Sequence, residues 1–179
     1  MIKLTKEQEE LIIPHCLKWL DLSYSTDNSA FKDTTRIEEL ITQIYINAEL
    51  SVPENFHYFD SPMAIKRSIE NQFGEYDIYW CYGSNDYYLA EYDFLINYTN
   101  VSISTKLFEP FIELAKLIYW WVADENDVWI SKKPNTIKIN GNKIHCANGP
   151  AMIFDDGFVA YYIDGKKLTK QEFDVHNKI

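Results

Sequence analysis

Apolar residues recur at helical spacing from the N-terminus to about residue 118, and beyond that point at the spacing of short strands. The first segment opens on Thr5-Lys6-Glu7-Gln8, a capping box in which the threonine hydroxyl and the glutamine side chain each satisfy an amide left open by the first helical turn. Leu11, Ile12, Cys16, Trp19 and Leu20 follow at helical spacing and predict the buried face. Pro14 inside that pattern predicts a kink or a fresh start. After a polar loop at 23–34, Thr35-Arg36-Ile37-Glu38 opens a second helix with Ile37, Leu40, Ile41, Ile44, Tyr45 and Ala48 on one face. Pro53 ends that segment, and residues 56–59 predict a short strand. Ser61-Pro62 reads as an N-cap with proline at the first helical position, ahead of Ile65, Ile69, Phe73 and a stop at Gly74. Ser84 or Asn85 caps a fourth helix through Leu89, Tyr92 and Ile96. A fifth spans 105–118, with Leu107, Phe108, Phe111, Leu114, Ala115 and Ile118 inward.

Residues 119–123 and 128–131 are β-like runs around Asp124-Glu125-Asn126-Asp127. Asn140-Gly141 between alternating residues is the strongest short-range hairpin signal, because both central residues of a type I′ turn need positive φ. Asp156-Gly157 and Asp164-Gly165 repeat the device, and Thr169-Lys170-Gln171-Glu172 is a second capping box. Residues 139–144 echo 163–168, either as two hairpins with the same turn chemistry or as a decayed repeat. The pattern predicts an α+β fold, N-terminal helices packed on a C-terminal antiparallel β-meander. It is read as one domain over 1–179, mainly helical and acidic to 117, then meander with a short terminal helix.

The chain has 179 residues, 46% hydrophobic and 16% aromatic, which excludes a disordered protein and removes any need for disulfides or metal to fold. A net charge of −10 and a pI near 4.8 argue against direct contact with nucleic acid or an anionic membrane. The longest apolar run, 117–123, falls far short of the roughly 20 residues a spanning helix needs. No signal-peptide pattern opens the chain, and Cys16, Cys81 and Cys146 are odd in number and widely spaced. The expectation is a soluble cytoplasmic protein with reduced thiols and no cofactor.

Trp120-Trp121, Lys133-Pro134, His145, Gly149-Pro150-Ala151, Asp156-Gly157, Tyr162 and Gly165 form a tail pattern. It resembles the end of a bacterial and phage domain family of unknown function, which carries Trp, Arg-Pro, Leu-His, Gly-Pro-Ala, Asp-Gly, Tyr and Gly in that order. Trp19-Leu20, Ser25-Thr26, Asp60-Ser61-Pro62 and Tyr92-Asp93-Phe94 resemble its upstream pieces. The His145 to Ala151 element also resembles short β-hairpin repeats. Two departures stand out: Lys133 replaces the arginine before proline, and Asp27-Asn28-Ser29-Ala30-Phe31 replaces an acid-and-arginine element. The resemblance implies a fold and no activity, and its glycines and prolines read as backbone geometry.

No glycine-rich phosphate loop, Gly-x-Ser-x-Gly elbow or His-Glu-x-x-His helix occurs. His15-Cys16 and His145-Cys146 hold the right atoms for zinc, yet helical neighbours diverge by about 100° and strand neighbours point oppositely, so no metal site is predicted. Cys81 or Cys146 as a nucleophile lacks a third orienting group, and Asp155-Asp156 reads as a turn former rather than a catalytic pair.

Charge is the feature left over. Residues 118–179 hold eight bases and eight acids, so the helical part, with nine bases and nineteen acids, carries the whole deficit. Residues 68–105 contain no Lys, Arg or His, six acids and seven of the thirteen tyrosines. A plain account packs the tyrosines on the meander and leaves the acids to solvate an outer face. The sharper one makes Glu75, Tyr76, Asp77, Asp86, Tyr87, Tyr88, Glu91 and Asp93 a docking surface for a basic protein. A nucleic-acid-guided nuclease blocked by an anti-CRISPR-like phage or mobile-element inhibitor is its concrete form. The alternative is a small-ligand protein or enzyme, with a pocket between helices and meander lined by Trp120, Trp121, Trp129, His145 and Tyr162. A structural or toxin–immunity partner is a third reading.

Overall fold

The Thr5 capping box forms as predicted. The Gln8 amide donates to Thr5 Oγ1 at 3.3 Å and the Thr5 amide donates to Gln8 Oε1 at 2.8 Å. In this computed structural model, which describes residues 3–74 and 86–176, the helices are α1 (Lys6–Ser23), α2 (Thr35–Asn47), α3 (Pro62–Phe73), α4 (Asp86–Tyr98), α5 (Thr105–Leu117) and α6 (Lys170–His176). Strands β1 (Asn55–Phe59), β2 (Trp120–Ala123) and β3 (Asp127–Ser131) make one sheet. Strands β4 (Thr136–Ile137), β7 (Met152–Ile153), β8 (Val159–Ile163) and β9 (Lys166–Leu168) make a second, and β5 (Ile139–Asn140) with β6 (Lys143–Ile144) a lone hairpin. The fold is mixed α+β, with helices first and a strand-rich C-terminal region. No helix among the described residues is long and apolar enough to cross a membrane.

The first sheet has the order β1-β3-β2, with β1 parallel and β2 antiparallel to β3. The C-terminal strands pair antiparallel throughout, as predicted, and the helical half of the chain adds the parallel strand β1 to the first sheet. A parallel partner must return through a long crossover, here α3 to α5, and local alternation carries no sign of such a pairing. Strand β3 is central and buried from Val128 to Ser131. Its Val128 and Ile130 face α2 and α5, packing on Ile37, Leu40, Ile41, Ile44, Leu114 and Ile118. Trp129, one residue out of phase, faces α3 and meets Ile65 and Ile69. The second sheet has its own core of Ala151, Met152, Phe154, Ala160 and Tyr162.

Helix α1 runs without interruption through Pro14, and of the predicted stripe it buries Trp19 and half-buries Leu20. His15 and Trp19 are buried, whereas Leu11, Ile12, Cys16 and Leu17 are exposed. Among the described elements its main packing partner is α4, which covers one side. The Asn140-Gly141 turn also shifts by one position. Asn140 pairs with Lys143, which makes Gly141 and Asn142 the central residues, and of these only Gly141 has positive φ, +58°. The turn from β8 to β9 is the type I′ expected, with Asp164 at +49° and Gly165 at +82°.

Polar clasps join the layers. Ser61, fully buried, caps α3 by accepting the Ala64 amide at 3.1 Å and donates to Asp156 Oδ2 at 2.5 Å. Asp156 also accepts the Phe158 amide at 2.9 Å, so one carboxylate ties the turn after β7 to a helix start. Asn28 makes two hydrogen bonds to the Lys133 backbone, at 2.9 and 3.0 Å. The buried Lys133 ammonium donates to Lys116 O at 2.6 Å, at the last turn of α5, where the helix end favours a cation.

Candidate functional site

Helix α4 carries two faces with different chemistry. On one, Tyr88 and Tyr92 are a helical turn apart, and Tyr92 stacks on Phe108 of α5 with centroids 4.0 Å apart and planes 22° from parallel. On the other, Asp93 is turned against α1. Its Oδ2 accepts the Trp19 indole N–H at 2.8 Å and its Oδ1 accepts Asn97 Nδ2 at 2.7 Å. His15 donates from Nε2 to Ala90 O at 2.9 Å and lies 3.6 Å from the same carboxylate. Asp93, only 9% exposed, is thus part of the α1–α4 interface and not of a docking surface. It shares the acidic composition of residues 68–105, but composition cannot tell which face a helical residue takes.

The tyrosine face of α4 looks across a cavity of about 720 Å³ toward β2. Its walls come from α2 (Ile44, Tyr45), α4 (Tyr88, Leu89, Tyr92), α5 (Phe108, Phe111, Leu114, Ala115) and the whole of β2 with Tyr119. The space exists because α4 packs on α5 and α1 rather than on the sheet, while β2 is an outer strand that no further strand shields among the described residues. No charged residue is among the described residues that line it; their polar side-chain groups are phenol hydroxyls and indole N–H groups. The exposed charges next to lining residues in the chain are the acids Glu49, Glu91, Glu109, Glu113 and Asp124. Lys116, the neighbouring base on α5, is ion-paired with Glu113. The field reaches the wall: burial and, second, the Asp124 carboxylate hold the Tyr45 phenol above its ordinary pKa.

Two predicted sets therefore meet at one place, in part. Tyr88, 63% exposed, lines the cavity with Trp120 and Trp121, and Glu91 is exposed on the following turn. Asp86 and Tyr87 lie in the first turn of α4, while Glu75, Tyr76, Asp77 and Cys81 lie outside the described residues. The other three pocket residues do not converge. Trp129 is buried on the α3 face of the sheet, with His57 stacked on it at 5.6 Å. Tyr162 belongs to the core of the second sheet, and His145 Nδ1 lies 2.9 Å from Asp164 Oδ1 at the turn after β8. Trp129 shares a core with Trp120 on the α3 face of the first sheet, while Tyr162 and His145 belong to the second sheet and its turn.

The histidine–cysteine pairs diverge as the backbone dictates. His15 is buried while Cys16 is exposed, and Cys146 packs on the second core with Lys138 Nζ 3.7 Å from its sulfur. Among the described residues no group of three or more His, Cys, Asp or Glu is arranged to hold a metal ion. Asp155 accepts Asn135 Nδ2 at 2.9 Å and Asp156 serves the Ser61 clasp, so both shape a turn. Tyr45, Tyr92, Phe108 and Phe111 are among the lining residues that periodicity assigned to helix faces. They do face inward, but periodicity does not say whether the space they face is filled. Comparison with protein-family models, with curated proteins and with solved structures finds no match.

Proposed function

We propose that the protein is a non-enzymatic binding module that docks a basic partner protein over the face formed by α4 and β2. The observation that carries this reading is the makeup of the cavity: aromatic and apolar walls with no charged side chain among the described residues that line it, adjoined by exposed acids. Aromatic anchors in a desolvated centre with charge at the rim are how protein interfaces divide affinity from steering. A protein groove that normally holds nucleic acid is the basic surface of matching sign, so a nucleic-acid-guided nuclease is a fitting partner class. Residues that carry the resemblance, upstream and in the tail, support a structural part for themselves. Ser61 with Asp156, Trp19 with Asp93 and Lys133 with Asn28 clasp layers instead of converging on a reaction centre.

The test is a four-site variant, Glu75→Gln, Asp77→Asn, Asp86→Asn and Glu91→Gln, titrated against the partner captured from native-host extract on immobilised protein. The expected result is binding weakened by about tenfold at low salt, with a flatter salt dependence, because rim charges act through steering. Unchanged affinity and an unchanged salt slope would remove the acidic surface from the interaction. The cavity volume also lies within the roughly 300–1,000 Å³ of small-molecule sites, so an apolar planar ligand is the second reading. Competition between an apolar dye and the captured partner separates the two.

A further inference from the structure

One wall of the cavity is backbone. Strand β3 covers one edge of β2, and among the described residues no strand pairs with the other. The Asp124 amide donates to Asp127 O at 3.0 Å, which makes that rung a hydrogen-bonded pair of the antiparallel ladder. Bonding alternates along such a ladder, so the 122/129 rung is bonded too, and the amides and carbonyls of Trp121 and Ala123 point away from β3. Trp120 and Val122 pack toward one core and Trp121 and Ala123 toward another, yet all four border the cavity, which therefore wraps the open edge. Exposed edges are ordinarily blunted by charge, proline or a bulge; Trp-Trp-Val-Ala contains neither charge nor proline.

We propose that the partner segment binds as an added β-strand, hydrogen-bonded to the outward backbone of Trp121 and Ala123 with alternate side chains in the aromatic cavity. This rests on the docking reading above and specifies its geometry. The occupant is an extended segment in which basic residues alternate with aromatic or branched apolar ones. Alternation follows from the strand period of two, apolar character from the walls, and positive charge from Glu49, Glu91 and Asp124 beside them. An added strand lies about 4.8 Å from β2, and its main chain supplies affinity while the cavity selects side chains.

The probe is a fluorescein-labelled heptapeptide, Lys-Phe-Lys-Val-Lys-Phe-Lys, with two isomers N-methylated on alternate residues so that each loses the donors of one strand edge. Fluorescence anisotropy should show the parent binding and one isomer weakened by about tenfold, the other binding as the parent does. A protein variant gives the reciprocal test. Ala123→Pro removes an outward donor that makes no bond to β3, and should weaken the parent peptide by about tenfold with the thermal midpoint kept. Equal affinity of the two isomers, whether retained or lost together, overturns strand addition, as does failure of the parent to bind. The docking reading stands or falls separately on the four-site variant.

Discussion

Asp93→Ala is expected to destabilise the protein by about 3 kcal/mol, the cost of leaving the buried Trp19 indole N–H without its charged acceptor. Trp19 Nε1 loses its acceptor at 2.8 Å inside an interface where Asp93 is buried, while Asn97 Nδ2 loses the carboxylate at 2.7 Å and keeps its bond to the residue-93 carbonyl at 2.8 Å. For a chain of this size the thermal midpoint should fall by about 6–12 °C. Asp93→Asn keeps one carbonyl acceptor and should lose about half as much. Because α1 packs mainly on α4, the weakened variant should also open there first, with faster amide exchange in α1 than in α2. Urea unfolding and exchange measure both. A change under about 0.5 kcal/mol, the range of ordinary surface substitutions, would return Asp93 to the solvent-facing acidic surface its sequence neighbours suggest.

Tyr88→Ala separates binding from folding. The ring is 63% exposed at the cavity wall, so its loss should alter stability by no more than about 0.5 kcal/mol. Partner affinity should fall about 30-fold, the cost of about 2 kcal/mol that an aromatic anchor at an interface centre carries. Tyr92 is a poorer site for this experiment, since its stack on Phe108 also holds α4 to α5. Titration calorimetry on the captured partner, with thermal unfolding alongside, reads both effects. A loss smaller than about threefold, under about 0.7 kcal/mol, would place the energetic centre of the interface away from this cavity.

Much of the scaffold was legible from local chemistry. The Thr5 and Ser61 caps, the inward face of α2 and the Asp164-Gly165 turn all depend on residues within one turn of each other, and the structure reproduces each. The departures share a cause, dependence on something distant in the chain. Leu11, Ile12 and Cys16 have core spacing, but among the described elements α1 packs mainly on α4 and buries one stripe, centred on His15 and Trp19. Strand β1 is apolar enough to be seen, but its parallel pairing with β3 joins residues far apart. Asn140-Gly141 announces a hairpin, while the register of β5 against β6 decides which residues occupy its centre.

The site shows the same division. Trp120, Trp121 and Tyr88 were singled out for different reasons, and only the packing of α4 away from the sheet places them around one cavity. Trp129, Tyr162 and His145 were grouped with them by aromaticity and tail position, which cannot reveal that the tail builds two cores. That no described strand pairs with the outer edge of β2 was invisible for the same reason: which strand lies outermost is a property of the sheet order β1-β3-β2 and not of any strand's own sequence.

The central claim, that a partner engages the outer edge of β2 over the aromatic cavity, is tested most directly by residue-resolved amide exchange with and without the basic heptapeptide at saturation. The account predicts that the Trp121 and Ala123 amides slow by about tenfold or more, while Val122, already bonded within the ladder to β3, changes little. Unchanged exchange at Trp121 and Ala123 on saturation, or slowing spread evenly over all three residues, would contradict it.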